Sequence, residues 1–190
     1  MADRLTLFTA KSIAKWLGDN VSGIDAAYVT TPDFDYDKKP HPTNRSLVID
    51  RPLPFITVET TTEFRGPFSV SANILYEVEL VYNIGVYAES YSDCLNYTGD
   101  MLQSLSSAEH PVSSKVGVPL YDFDAVSGTF YDLVGAVQVM DLGVTAHFGP
   151  GTTDEQENRK HRSISPVTFT AFKDKSAKLL ENLGNININD

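Results

Sequence analysis

The longest regular pattern in the chain is an alternation of apolar and polar positions from Leu75 to Glu89. One face of this stretch carries residues suited to a core, from Tyr76 to Ala88. The other face is mixed, and it includes Glu77, Glu79, Val81 and Tyr87. A period of two predicts a strand with one face on the core and the other on water or a partner. At roughly 3.3 Å per residue it spans about 50 Å, so we expect half of a protruding hairpin or a sheet shared between subunits, with these four residues as candidate interface positions.

Apolar residues recur at helical spacing in two segments. The pattern from Leu5 to Leu17 predicts a helix over residues 4–19, ended by Gly18. A second helix is predicted from Ser92 or Asp93, both good N-caps, to about Ser107.

The remaining β-like segments complete an α+β pattern. Further strands are predicted over Ala26–Thr31, Ser46–Asp50, Phe55–Phe64, Val116–Tyr121, Phe130–Val134, Met140–Phe148 and Ser163–Phe172. Phe55–Phe64 should pair with the long strand as an antiparallel neighbour, and Pro166 favours a sheet edge for the last strand. His147 lies on the second face of its strand, which favours an interface or surface position. Because the strands come as adjacent pairs, we expect a largely antiparallel sheet with long strands and with helices packed on one face.

The domain prediction is a single α+β domain over residues 1–174, followed by a C-terminal helix and tail over residues 175–190. Ser176–Leu183 has the composition of a short helix, and Asn185–Asp190 alternates Asn and Ile. Ile186 and Ile188 therefore fall on one face of an extended segment. Such a segment is suited to add to the sheet edge of a neighbour, which makes both isoleucines candidate interface residues.

Composition limits the function classes. The 190-residue chain has a formal net charge of −10, and its few basic residues are scattered, which argues against sequence-specific nucleic-acid binding. An acidic surface can instead line a passage that DNA crosses without sticking. The apolar runs are too short to span a membrane, and the first residues lack the layout of a signal peptide. The single cysteine, Cys94, excludes an internal disulfide and fits synthesis in cytoplasm.

Candidate chemistry is sparse. Asp33, Asp35 and Asp37 form the one local carboxylate cluster, but they lack the glycine and distant glutamate of a calcium-binding loop, and a solvated acidic loop is the alternative. Cys94 has no histidine close in sequence and is expected to be a buried, inert thiol. No nucleophile elbow, phosphate-binding glycine loop or dinucleotide motif is present. We therefore expect no catalytic site, cofactor or metal. The alternatives left open are a monomeric binding domain and a small metal-dependent enzyme using the aspartates or Glu77 and Glu79.

The order of these elements resembles the phage tail-terminator family. The matching segments are Leu5–Leu17, Pro54–Glu59, Tyr76–Ala88, Ser92–Leu105, Gln138–Phe148 and Ile164–Phe172. The resemblance implies a structural virion protein that forms a homohexameric ring, caps the tail tube and joins it to the neck. Its partners would be other copies of itself, the tail tube protein and a neck or connector protein, with DNA only passing through the lumen. The extra length relative to the smallest members lies in 30–45, 110–133, 149–163 and 175–190, and another neck, tail-completion or head–tail connector protein is the alternative.

Overall fold

The computed structural model describes residues 2–24, 27–30, 53–65, 74–108, 117–123, 129–149 and 161–174. These residues form two helices and seven strands. In chain order they are α1 (Ala2–Asn20), β1 (Ala27–Thr30), β2 (Phe55–Arg65), β3 (Ile74–Ala88), α2 (Tyr91–Ser106), β4 (Val118–Phe123), β5 (Phe130–Leu142), β6 (Ala146–Phe148) and β7 (His161–Asp174).

The strands form one sheet in the order β1-β2-β3-β7-β5-β4, and β6 pairs with β7 beyond the end of β5. β1 runs parallel to β2, whereas every other strand pair is antiparallel. The predicted hairpin partner of the long strand is confirmed, because Phe55 lies opposite Tyr87 and Arg65 opposite Glu79. The α+β class, with a largely antiparallel sheet of long strands, is therefore confirmed.

Both helices pack on one face of this sheet, which we call the helix face. Leu80, Tyr82, Ile84 and Val86 of β3 are buried there together with Val167, Phe169 and Ala171 of β7. The Tyr82 hydroxyl donates to the Thr6 carbonyl of α1 at 2.8 Å, and the Cys94 Sγ of α2 lies 3.8 Å from the Val86 carbonyl oxygen. Since Tyr82 and Val86 point the same way from β3, α1 and α2 share this face. The opposite side of the sheet is the outer face.

Polar contacts hold the two helices in place. The Trp16 Nε1–H of α1 donates to the Ser104 carbonyl at 3.3 Å and to its Oγ at 3.1 Å on α2. The Ser12 Oγ of α1 accepts the backbone N–H of Tyr121 in β4 at 2.9 Å. At the start of α2, the Ser90 Oγ accepts the Asp93 N–H as a helix N-cap should. The helix predicted to end at Gly18 continues to Asn20, so Gly18 lies inside α1.

The prediction that the last strand lies at a sheet edge is wrong. β7 is central, with β3 on one side and β5 and β6 on the other. Pro166 is tolerated there because its carbonyl accepts the Gly143 N–H, and Gly143 lies between β5 and β6. The N–H and C=O of one strand residue point to the same side, so the donor that Pro166 lacks would face this interruption in the ladder.

The strand predicted over Met140–Phe148 is interrupted next to Pro166, where Gly143 donates to the Pro166 carbonyl. β5 ends at Leu142 and β6 begins at Ala146. β4 and β5 are each longer at their C-terminal ends than the sequence pattern predicts. The predicted strand Ser46–Asp50 and helix Ser176–Leu183 lie outside the described residues.

Candidate assembly surface

Besides the end strands β1 and β4, the stretch that follows Val137 has a described strand partner on one side only. β4 pairs with β5 no further than Val118 opposite Val137. From Gln138 to Phe148 the chain pairs with β7, and no other described strand lies on its opposite side. We call Gln138–Phe148 the free edge. An edge strand presents N–H and C=O groups to which another strand can bind.

The free edge is unusually apolar for an exposed strand. Of the described residues, the large apolar side chains that are exposed are Tyr91, Leu95, Met140, Leu142, Val144 and Phe148. Four of these six belong to the free edge. Val144 is 91% exposed and Met140 is 58% exposed, so neither contributes much to the core of the chain. Apolar surface concentrated in one place is typical of a binding interface.

The other two exposed side chains lie on α2, beside the free edge. The rings of Tyr91 and His147 meet edge to face, with centroids 6.1 Å apart. α2 turns Cys94, Thr98, Met101 and Leu105 to the core, and Ser104 faces α1 through its bonds with Trp16. Tyr91 and Leu95 are four residues apart and therefore share the opposite flank of the helix, next to β6. We call these two residues together with the free edge the apolar patch.

A chain of side-chain contacts links the apolar patch to the outer face. The Arg162 guanidinium lies 4.8 Å from the centre of the Phe148 ring, within the range of a cation–π interaction. Arg162 also lies opposite Tyr87 in the β3–β7 ladder and hydrogen-bonds to its hydroxyl. The Tyr87 ring stacks on Phe55 with centroids 4.6 Å apart, and Phe55 meets Tyr28 edge to face.

Tyr87 is therefore held within its own chain. Burial raises the pKa of its phenol, and the Arg162 charge and the Thr57 hydrogen bond partly offset that rise in pKa. Gly85 leaves room for this arrangement, since a Cβ there would lie 2.6 Å from the Thr57 Oγ1 and 3.0 Å from the Tyr87 ring. Tyr87 has little side-chain surface left for a partner.

The structure distributes the predicted interface residues over two places. Glu79, Val81 and Tyr87 are half-buried on the outer face of β3, and Glu77 belongs to β3 although its side chain is outside the described set. His147 is exposed and belongs to the free edge. β7 separates β3 from the free edge, and Arg162 of β7 bridges the two regions by contacting Tyr87 and Phe148. Ile186, Ile188 and the aspartates Asp33, Asp35 and Asp37 lie outside the described residues.

The sequence prediction missed Met140, Leu142, Val144 and Phe148 as surface residues. The available signal was a run from 138 to 148 that is apolar on alternate positions and has Asp141 as its only acidic residue. The missing information was where β4 begins, since its pairing with β5 reaches no further than Val137.

Cys94 lies in a small polar cluster under α2, on the core side of that helix. It is buried, as predicted, and its neighbours are Thr98 and Ser163. Burial raises the pKa of the thiol, and hydrogen bonds with the two hydroxyls partly offset that rise. Thr98 also hydrogen-bonds to Ser163, which ties α2 to β7. A buried thiol with a raised pKa is a poor nucleophile.

Within the described ranges, no group of three or more His, Cys, Asp or Glu side chains could hold a metal ion. None of the described helices combines the length and apolar character needed to cross a membrane. The chain matches no protein-family model, and a comparison with curated proteins found no match.

Proposed function

We propose that this chain is a structural subunit of a phage virion, a tail-terminator-like ring protein that caps the tail tube and joins it to the neck. The observation that carries the proposal is the apolar patch along the free edge. A monomer that leaves such an edge open risks uncontrolled association. In a ring, the neighbouring subunit covers this edge in every copy.

The fold is compatible with this role. The long β3 and β7 strands and the two helices on one face have the element order that the resemblance implies. The net charge of −10 would keep DNA from adhering to the wall of a central passage. The proposed partners are other copies of this chain in a hexamer, the tail tube protein and a neck or connector protein. The proposal includes no reaction, cofactor or metal.

The first test is the native mass of the purified chain by light scattering at rising concentration, with electron microscopy of the same samples. We expect a six-fold mass and rings with a central passage. Val144→Lys puts a charge in the apolar patch and should lower the mass. Gln103→Lys adds the same charge at an exposed α2 position outside the patch and should leave the mass unchanged.

The tail-specific part of the proposal needs a second measurement. Added to its own polymerising tube protein, the wild-type chain should shorten the tubes, and Val144→Lys should not. A single-copy mass at every concentration, without rings and without an effect on tube length, would contradict the proposed function. Rings that leave tube length unchanged would favour another position in the neck.

A further inference from the structure

We infer that the free edge is the acceptor for the C-terminal segment 184–190 of a second copy, which adds to the sheet as an outermost strand beside β5 and β6. This inference rests on the proposed function, because it names the contact that joins neighbouring subunits. It assigns the apolar patch to one occupant, the C-terminal segment of a neighbouring copy.

The apolar pattern of the acceptor fits the pattern of the segment. Leu142 lies opposite Val167 and therefore points to the helix face, on the side where α2 presents Tyr91 and Leu95. A strand added at the free edge would have every second side chain on that side. Ile186 and Ile188 are two residues apart, so both can pack against Leu142 and the α2 flank. The intervening asparagines would then lie towards the outer face and solvent.

The charges also favour this pairing. Two copies each carrying a net charge of −10 repel one another at most of their surface. The free edge and the segment 184–190 have one acidic residue each, Asp141 and Asp190. The two segments are therefore among the places where acidic copies can approach with the least repulsion.

The proposed ring favours a second copy over the same chain. β7 ends at Asp174, beside Gly135, whereas the middle of the free edge lies near Pro166, about 26 Å back along β7 at ~3.3 Å per residue. The sixteen residues 175–190 are long enough to cover that distance, so length alone does not choose between the two edges. A segment that closed on its own edge would leave adjacent copies without this contact, whereas exchange between copies links each subunit to the next.

Site-directed disulfide formation tests the contact in the full chain. Val144→Cys is made in a copy with a size tag, Ile188→Cys in an untagged copy, and the two are co-expressed and oxidised under native conditions. Leu142→Cys and His147→Cys, at positions that point to the helix face, are paired with Ile188→Cys in the same way, to cover neighbouring registers. We expect a tagged–untagged disulfide dimer in at least one of these pairs. Gln103→Cys is the matched control, since position 103 is exposed on α2 outside the patch, and its pair with Ile188→Cys should give several-fold less dimer. Cys94 is buried, so the wild-type chain serves as the blank.

Deletion of residues 184–190 supplies the second measurement, and we expect the native mass to fall. An unchanged oligomer mass after the deletion, with no disulfide at any of the three edge positions, would overturn this inference and leave the proposed ring function intact. A double variant, Val144→Cys with Ile188→Cys, that closes a disulfide within one chain and forms no dimer would also overturn it. A wild-type chain that is a single copy at every concentration would contradict the inference and the proposed function together.

Discussion

Gly143 lies so close to Pro166 that a Cβ at Gly143 would be 2.8 Å from both the Cγ and the carbonyl oxygen of Pro166. The same two residues share the hydrogen bond, 2.9 Å long, that spans the interruption between β5 and β6. A side chain at position 143 would push the free edge away from β7.

We therefore expect Gly143→Ala to lower the free energy of unfolding by about 1–3 kcal/mol, the usual cost of overpacking. Urea unfolding followed by the fluorescence of Trp16, the only tryptophan, measures this change. Gly149→Ala is the control, because a Cβ at Gly149 meets nothing within 4 Å. Equal stability of the two variants would show that the Gly143–Pro166 contact relaxes without cost.

Because the Tyr82 hydroxyl is buried, the free energy of unfolding should depend on pH in the alkaline range. Burial raises the pKa of Tyr82 far above its usual value, so the folded chain keeps a proton that the unfolded chain loses above about pH 10. This contribution is complete below about pH 10, and above it the free energy of unfolding falls by up to about 1.4 kcal/mol per pH unit. Tyr82→Phe should start about 1 kcal/mol lower at neutral pH, because it lacks the bond to Thr6, and then fall less steeply.

Urea unfolding at a series of pH values from about 8 to about 12 covers the range in which the tyrosine of the unfolded chain ionises. Tyr91→Phe alters an exposed ring and should keep the wild-type slope. Parallel curves for the wild type and Tyr82→Phe would contradict the prediction.

The Trp16–Ser104 hydrogen bonds should be measurable as a coupling between α1 and α2. Trp16→Phe removes the donor and Ser104→Ala removes one of its two acceptors. A double-mutant cycle followed by circular dichroism should give a coupling of about 0.5–1.5 kcal/mol. Strictly additive effects would mean that the helices are held by apolar packing alone.

The Cys94 thiol should resist modification in the native protein. Burial blocks access to it and raises its pKa, so labelling by a disulfide reagent should be slower than in urea by on the order of 100-fold or more, as a few kcal/mol of local opening requires. In Val144→Cys, the added thiol sits at a 91% exposed position and should label promptly. Prompt labelling of the wild type would place Cys94 in a part of the fold that opens readily.

Local patterns in the sequence predict most of this fold. The alternation through Leu80, Tyr82, Ile84 and Val86 correctly identifies the buried face of β3, and the helical spacing around Cys94 locates α2 to within about two residues of its ends. The central position of β7 could not be predicted from Pro166, because the tolerance for a proline there depends on Gly143, whose N–H donates to the Pro166 carbonyl. The parallel pairing of β1 with β2 likewise depends on chain path rather than on the residues of either strand.

The candidate site was less predictable than the fold. Tyr87 has the sequence features of an interface residue, yet its ring is occupied by Phe55, which lies 32 positions earlier in the chain. Met140 and Val144 have the features of strand residues in a core, yet they are exposed because β4 begins only at Val118, opposite Val137. Both outcomes are set by contacts between distant segments, which period and composition do not encode.

The position of β7 has a consequence for how the chain is made. β7 is the last of the described strands to leave the ribosome, yet it is the strand that joins β3 to β5 and β6. Until residues 161–174 emerge, the earlier strands can form only two separate ladders, β1-β2-β3 and β4-β5, each with a long open side. Such long-range pairing slows folding and favours completion after synthesis. A nonsense mutation anywhere between residues 142 and 161 would therefore release two half-sheets that lack the strand between them and are linked through α1 rather than by a continuous ladder.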